Sequence, residues 1–158
     1  METFWLALVR IFGCGARKIY LYYKNLNRNY NYNHHSAIVF APNGKIIASG
    51  GAIGDDEKRS EIRFWNVTTG SLLNSFVDYE RDIYSLSFSP DGGTLASGGT
   101  GGSVKLWSVE TGKLTMSLKT INTPHDNYAL LTTAFSPNGK MLAVGDTDGT
   151  IRIWKLPQ

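Results

Sequence analysis

The feature that most constrains the fold is a short string that occurs three times: Phe40-Ala41-Pro42-Asn43-Gly44, Phe88-Ser89-Pro90-Asp91-Gly92 and Phe135-Ser136-Pro137-Asn138-Gly139. The copies lie 48 and 47 residues apart, a period that marks a repeat array. Each copy leads into a short apolar run with glycine: Ile46-Ile47-Ala48-Ser49-Gly50, Leu95-Ala96-Ser97-Gly98 and Met141-Leu142-Ala143-Val144-Gly145. Each then reaches an alternating run ending in tryptophan: Ile62-Arg63-Phe64-Trp65, Val104-Lys105-Leu106-Trp107 and Ile151-Arg152-Ile153-Trp154.

These patterns predict antiparallel strands joined by tight turns. Pro followed by Asn or Asp and then Gly presets one φ and supplies a residue tolerant of positive φ, which reverses the chain between strands a and b. Alternation in strand c puts Arg63, Lys105 or Arg152 on one face and the flanking apolar residues on the other. A fourth strand, d, follows the Thr-Gly turns as Leu72 to Phe76 and Leu114 to Leu118.

Four-stranded units with FSPDG, LASGG and VKLW strings resemble WD40 repeats, and the resemblance covers residues 36–158 in three copies. It implies an all-β chain of β-propeller blades whose usual role is to bind other proteins. The units are 36–78, 79–120 and 121–158, preceded by a basic segment, 1–35. The resemblance also implies a hydrogen-bonded set in each blade: His between strands d and a, Ser or Thr on strand b, Asp in the b–c turn and Trp on strand c. Trp65, Trp107 and Trp154 fill the last place and Ser49 and Ser97 the second; in the third unit Asp148 fills the turn position and His125 lies near the histidine position, one residue upstream. Val144 replaces Ser in the third unit, and Gly101 and Tyr79 replace Asp and His in the second. Each missing buried hydrogen bond predicts a loss of about 1 kcal/mol.

Shifted by 95 residues, the leading segment aligns Val9-Arg10-Ile11-Phe12 with Val104-Lys105-Leu106-Trp107. Residues 1–35 are therefore expected to hold decayed strands c and d, with Lys18 to Lys24 as strand d. On this reading the third unit lacks its last strand, and about three blades are too few for a ring, since closed propellers use about 4–8. Two expectations follow: the chain is a fragment of a longer propeller, such as the sensor part of a kinase- or NTPase-linked signalling protein, or it assembles with further copies of itself. In the second case, Lys18 to Lys24 of one copy would complete the third blade of the next.

The first unit departs from its siblings between strands b and c. Phe40 to Trp65 spans 25 residues, against 19 in the other two units, and the surplus carries Asp55, Asp56, Glu57, Lys58 and Arg59. A longer charged loop is where a repeat protein can place a binding determinant. The resemblance puts the b–c and d–a loops on one face, so that Tyr79, Arg81, His125 and Asn127 would join the patch.

Other chemistry finds little support. Ser97 to Ser103 is glycine-rich but lacks a Gly-Lys-Ser/Thr ending, so it reads as a turn and not as a phosphate loop. His34 and His35 would face opposite sides of an extended strand, and Cys14 stands alone, so no metal site, cofactor or disulfide is expected. No nucleophile accompanies the Asp and His residues, and catalysis is not expected. The apolar run from Phe4 to Val9 is too short to cross a membrane.

The net charge of +3 comes from residues 1–35, which carry +4. Tyr20, Tyr22, Tyr23, Tyr30 and Tyr32 with Lys24 and Arg28 offer a nucleic-acid reading through stacking and phosphate contacts. A closing strand followed by a polar loop accounts for the same residues, and is preferred. The expectation is a cytoplasmic, non-catalytic protein-binding scaffold.

Overall fold

The computed structural model describes residues 36–52, 59–78, 82–119 and 129–157. The expected half-repeat in 1–35, and with it the Lys18 to Lys24 strand, lies outside them. Among the described residues the chain is all β, in three antiparallel sheets. The first holds β1 (Ala37–Phe40), β2 (Ile46–Ala52), β3 (Ser60–Asn66) and β4 (Leu72–Asp78) in sequence order. β5 (Ile83–Phe88), β6 (Thr94–Gly99), β7 (Ser103–Ser108) and β8 (Leu114–Lys119) form the second, again in order. The third contains β9 (Leu130–Phe135), β10 (Met141–Asp146) and β11 (Ile151–Lys155).

The repeated turns form as their residues dictate. Gly44, Gly92 and Gly139 sit at φ of 66°, 75° and 71°, where a side chain would be strained. Their amides close on Ala41, Ser89 and Ser136 carbonyls at 2.8–2.9 Å. Asn43, Asp91 and Asn138 brace the same turns by accepting the amides of Lys45, Gly93 and Lys140. A bulge recurs just before the tryptophan where strand c pairs with strand d, at Phe64/Trp65 and at Leu106/Trp107. Strand d runs past the expected ends at Phe76 and Leu118, to Asp78 and Lys119, because pairing with β3 and β7 continues to Ser60 and Ser103.

The core lies between sheets. At the first junction, Ala48, Ile62 and Phe64 of the first blade meet Leu86, Phe88, Leu95 and Trp107 of the second. Rings interlock across it, with Phe64 and Phe88 centroids 6.3 Å apart and Phe76 and Trp107 5.1 Å apart. Ala96, Val104 and Leu106 meet Leu130, Leu142 and Val144 at the second junction.

Strand b brings a glycine to each junction for reasons of space. A Cβ on Gly50 would fall 2.9 Å from Ile83 Cγ2, and one on Gly98 3.2 Å from Leu130 Cβ. The missing side chain lets the first strand of the next blade lie against strand b.

Candidate interaction surface

The strand ends sort the connections onto two rims. Ala52, Ser60 and Asp78 lie across from one another in register, so β2 and β4 end and β3 begins at the same end of the first sheet. Turns 100–102 and 147–150 belong to that rim in the other blades, and β8 ends there. The opposite rim carries the Pro-Asn/Asp-Gly and Thr-Gly turns.

The two rims differ in kind. Tight turns of near-identical sequence fix the second, each closed by backbone and side-chain hydrogen bonds. The first carries connections of unequal length: seven residues at 53–59 against three at 100–102. Part of the insertion in the first unit goes into longer strands, since β2 and β3 have seven residues where β6 and β7 have six. The rest lengthens the loop.

Of the predicted partner-binding residues, Arg59 stands exposed where the long connection enters β3. Asp55, Asp56, Glu57, Lys58, Tyr79, Arg81 and Asn127 lie outside the described residues, as does His125. The bases of their segments are held firmly: Thr100 donates its amide to the Asp82 carbonyl at 3.1 Å and bridges to Ala129, whose carbonyl accepts from the Thr147 amide at 3.0 Å. Tyr84 reaches back to Asp82 at 3.2 Å.

Below the rim, side-chain bonds stiffen each blade. Trp65 Nε1 donates to Ser49 Oγ and Trp107 Nε1 to Ser97 Oγ, both at 2.8 Å. Val144 offers Trp154 no oxygen and instead packs into the second core. Among the described residues of the third blade the buried carboxylate is Asp146, paired with Arg152 and accepting the Thr150 amide at 3.0 Å. Asp148, two residues on, is exposed; it accepts the same amide at 2.8 Å and lies 3.5 Å from Arg152 Nη2.

One polar joint was not among the sequence candidates. Thr133 of β9 bonds Ser85 and Ser87 of β5, with both hydroxyl contacts at 3.0 Å and its amide donating to Ser85 Oγ at 2.8 Å. Thr133 stands where the other units have Ile38 and Leu86, and that polar change within an apolar row is the signal that marks it.

Chemically, these groups satisfy one another. The buried hydroxyls at the joint bond each other, and Asp146 is neutralised by Arg152. Among the described residues no three His, Cys, Asp or Glu side chains gather in a way that could hold a metal ion. A cleft of about 590 Å³ between the second and third blades is lined by Leu106, Met116, Phe135, Leu156 and the turns around Pro90 and Pro137.

The family pattern described as WD domain, G-beta repeat matches residues 70–108 and 116–155, half of the chain. The chain belongs to the WD40 repeat family. It is 35% identical over 74 residues to the periodic tryptophan protein 2 homolog of Neurospora crassa, a match covering 47% of this chain and 8% of that protein. It is 38% identical over 80 residues to human apoptotic protease-activating factor 1, covering 46% of this chain and 6% of that one. With the pre-rRNA-processing protein IPI3 of Mycosarcoma maydis it shares 32% over 74 residues, 47% of this chain and 12% of the relative. The WD40 chain thus spans a small part of each of these relatives.

Proposed function

We propose that this chain is a non-catalytic protein-interaction scaffold that presents its partner with the rim of unequal connections. The observation that carries this reading is the contrast between rims: one is fixed by repeated turns, while the other varies in length and charge above a firmly bonded base. Insertions placed on one face of a repeat array are where specificity can change without disturbing the stack. The relatives support the general role and point to no single partner, since their names refer to pre-rRNA processing in one case and protease activation in another. What they share with this chain is WD40 blades. Charge at Asp55 to Arg59, with both signs present, suits a partner surface that is itself charged, where electrostatic complementarity sets specificity and encounter rate.

The test compares rims. Proteins retained by the immobilised chain are compared with those retained by a Lys58→Glu/Arg59→Glu variant and by a Lys45→Glu/Lys140→Glu variant, which alters exposed lysines on the opposite rim. Loss of a retained protein in the first variant alone supports the reading. Equal retention by all three, or loss in the second variant, counts against it.

A further inference from the structure

Each WD40 blade has two unlike faces, and the two junctions show which covers which. The face toward the next blade presents alternate residues of strand c: Ile62 and Phe64 in the first blade, Val104 and Leu106 in the second. The face toward the preceding blade presents strands a and b with the tryptophan: Leu86, Phe88 and Trp107, then Thr133, Phe135 and Trp154. Among the described residues, one copy of each face has no blade against it. Ile151 and Ile153 of the third blade hold the places of Val104 and Leu106; Ile151 is 75% exposed where Val104 is 0%. Ile38 and Phe40 of the first blade hold the places of Leu86 and Phe88; Ile38 is 63% exposed where Leu86 is 8%.

We propose that a second copy of this chain covers these faces head to tail, Ile151 and Ile153 of each copy packing on Ile38, Phe40 and Trp65 of the other. The occupant is argued from the two junctions themselves. They demonstrate that a face of the first kind accepts a face of the second, and every copy of the chain carries both. A partner with an unrelated surface would not require the exposed positions to keep, residue by residue, the apolar identity of the covered ones. Ala143 and Gly145 extend the match: they repeat Ala48-Gly50 and Ala96-Gly98, the small pairs on which the next blade's first strand lies at each junction. Three described sheets per copy give six in a pair, within the range of about 4–8 at which propellers close. Closure matters because a head-to-tail contact that does not close continues into a filament.

The test uses the full 158-residue chain and two variants, Ile151→Asp and Ile38→Asp, each at an exposed position so that folding is retained and checked by circular dichroism. Sedimentation should give the mass of two chains for the unaltered protein. Each variant alone places a charge in both junctions of a pair, so its association should weaken roughly 100-fold or more. Mixed in equal amounts, the variants leave one junction intact and should again form a two-chain species, holding one copy of each. A one-chain mass for the unaltered protein, assemblies without a fixed mass, sensitivity to one substitution but not the other, or failure of the mixture to pair would each overturn the proposal.

Discussion

Trp107 donates its indole N–H to the Ser97 hydroxyl at 2.8 Å within a nearly closed environment, while Trp65 makes the same bond to Ser49 with its ring half-exposed. The difference comes from packing: Phe76 lies over Trp107, 5.1 Å away between centroids, because Trp107 belongs to an occupied junction.

Removing the acceptor should therefore cost unequal amounts. Ser97→Ala leaves a buried donor without a partner, for a loss of about 1–3 kcal/mol. With all variants made in the Ile38→Asp background, which keeps that face uncovered, water can reach the indole at Ser49→Ala, and the loss should be smaller. Trp107→Ala removes the ring as well and should cost about 3–5 kcal/mol. Urea denaturation of the three variants checks the order; equal losses for the two serine changes would contradict it.

Arg152 and Asp146 give a sharper contrast with Asp148. Asp146 is buried and paired with Arg152, whereas Asp148 is exposed beside both. Arg152→Leu removes the cation paired with a buried carboxylate, a change that costs about 3–5 kcal/mol when one partner of such a pair is lost. Asp148→Asn keeps an oxygen for the Thr150 amide and should cost under about 1 kcal/mol, as exposed pairs do. Thermal unfolding at neutral pH distinguishes them, and a comparable loss from Asp148→Asn would show that the exposed carboxylate carries the turn.

Much of this architecture was legible in the sequence because it depends on local chemistry. Gly44, Gly92 and Gly139 announce their turns by the residues before them, and the alternation in Ile62-Arg63-Phe64-Trp65 announces a strand with one apolar face. The 25-residue spacing from Phe40 to Trp65 likewise revealed a longer connection, though not that two of its residues extend β2 and β3. What was not legible depends on stacking. Thr133 meets Ser85 and Ser87 only because β9 lies beside β5, across 46 to 48 residues of chain. Choosing between Asp146 and Asp148 as the buried carboxylate requires knowing which of them the hairpin turns inward, and both fit the turn by sequence. Unequal exposure at equivalent positions, such as Ile151 and Val104, is likewise a property of neighbours and not of the residue.

The turn at Asp91 provides a pH test. Ser89 Oγ donates to Asp91 Oδ1 at 2.5 Å and the Gly93 amide donates to the same oxygen at 2.9 Å. The hydroxyl bond first, and the amide second, favour the ionised form and hold the carboxyl below its ordinary value of 3.8, against a small opposing effect of burial. A lowered folded-state value means that the turn gains stability from ionisation above the unfolded value and loses it as pH falls through the folded one. Asp91→Asn retains the accepting oxygen, as Asn43 and Asn138 do in the sibling turns, but has no charge to lose. Denaturation curves between about pH 5 and pH 2 should therefore show a steeper decline for the unaltered chain than for Asp91→Asn. Because Asp91 is exposed, the difference should be small and should shrink with added salt. Parallel declines would mean that the Ser89 bond serves the neutral and ionised carboxyl equally, and that the turn is held by its backbone hydrogen bonds and the positive φ of Gly92 alone.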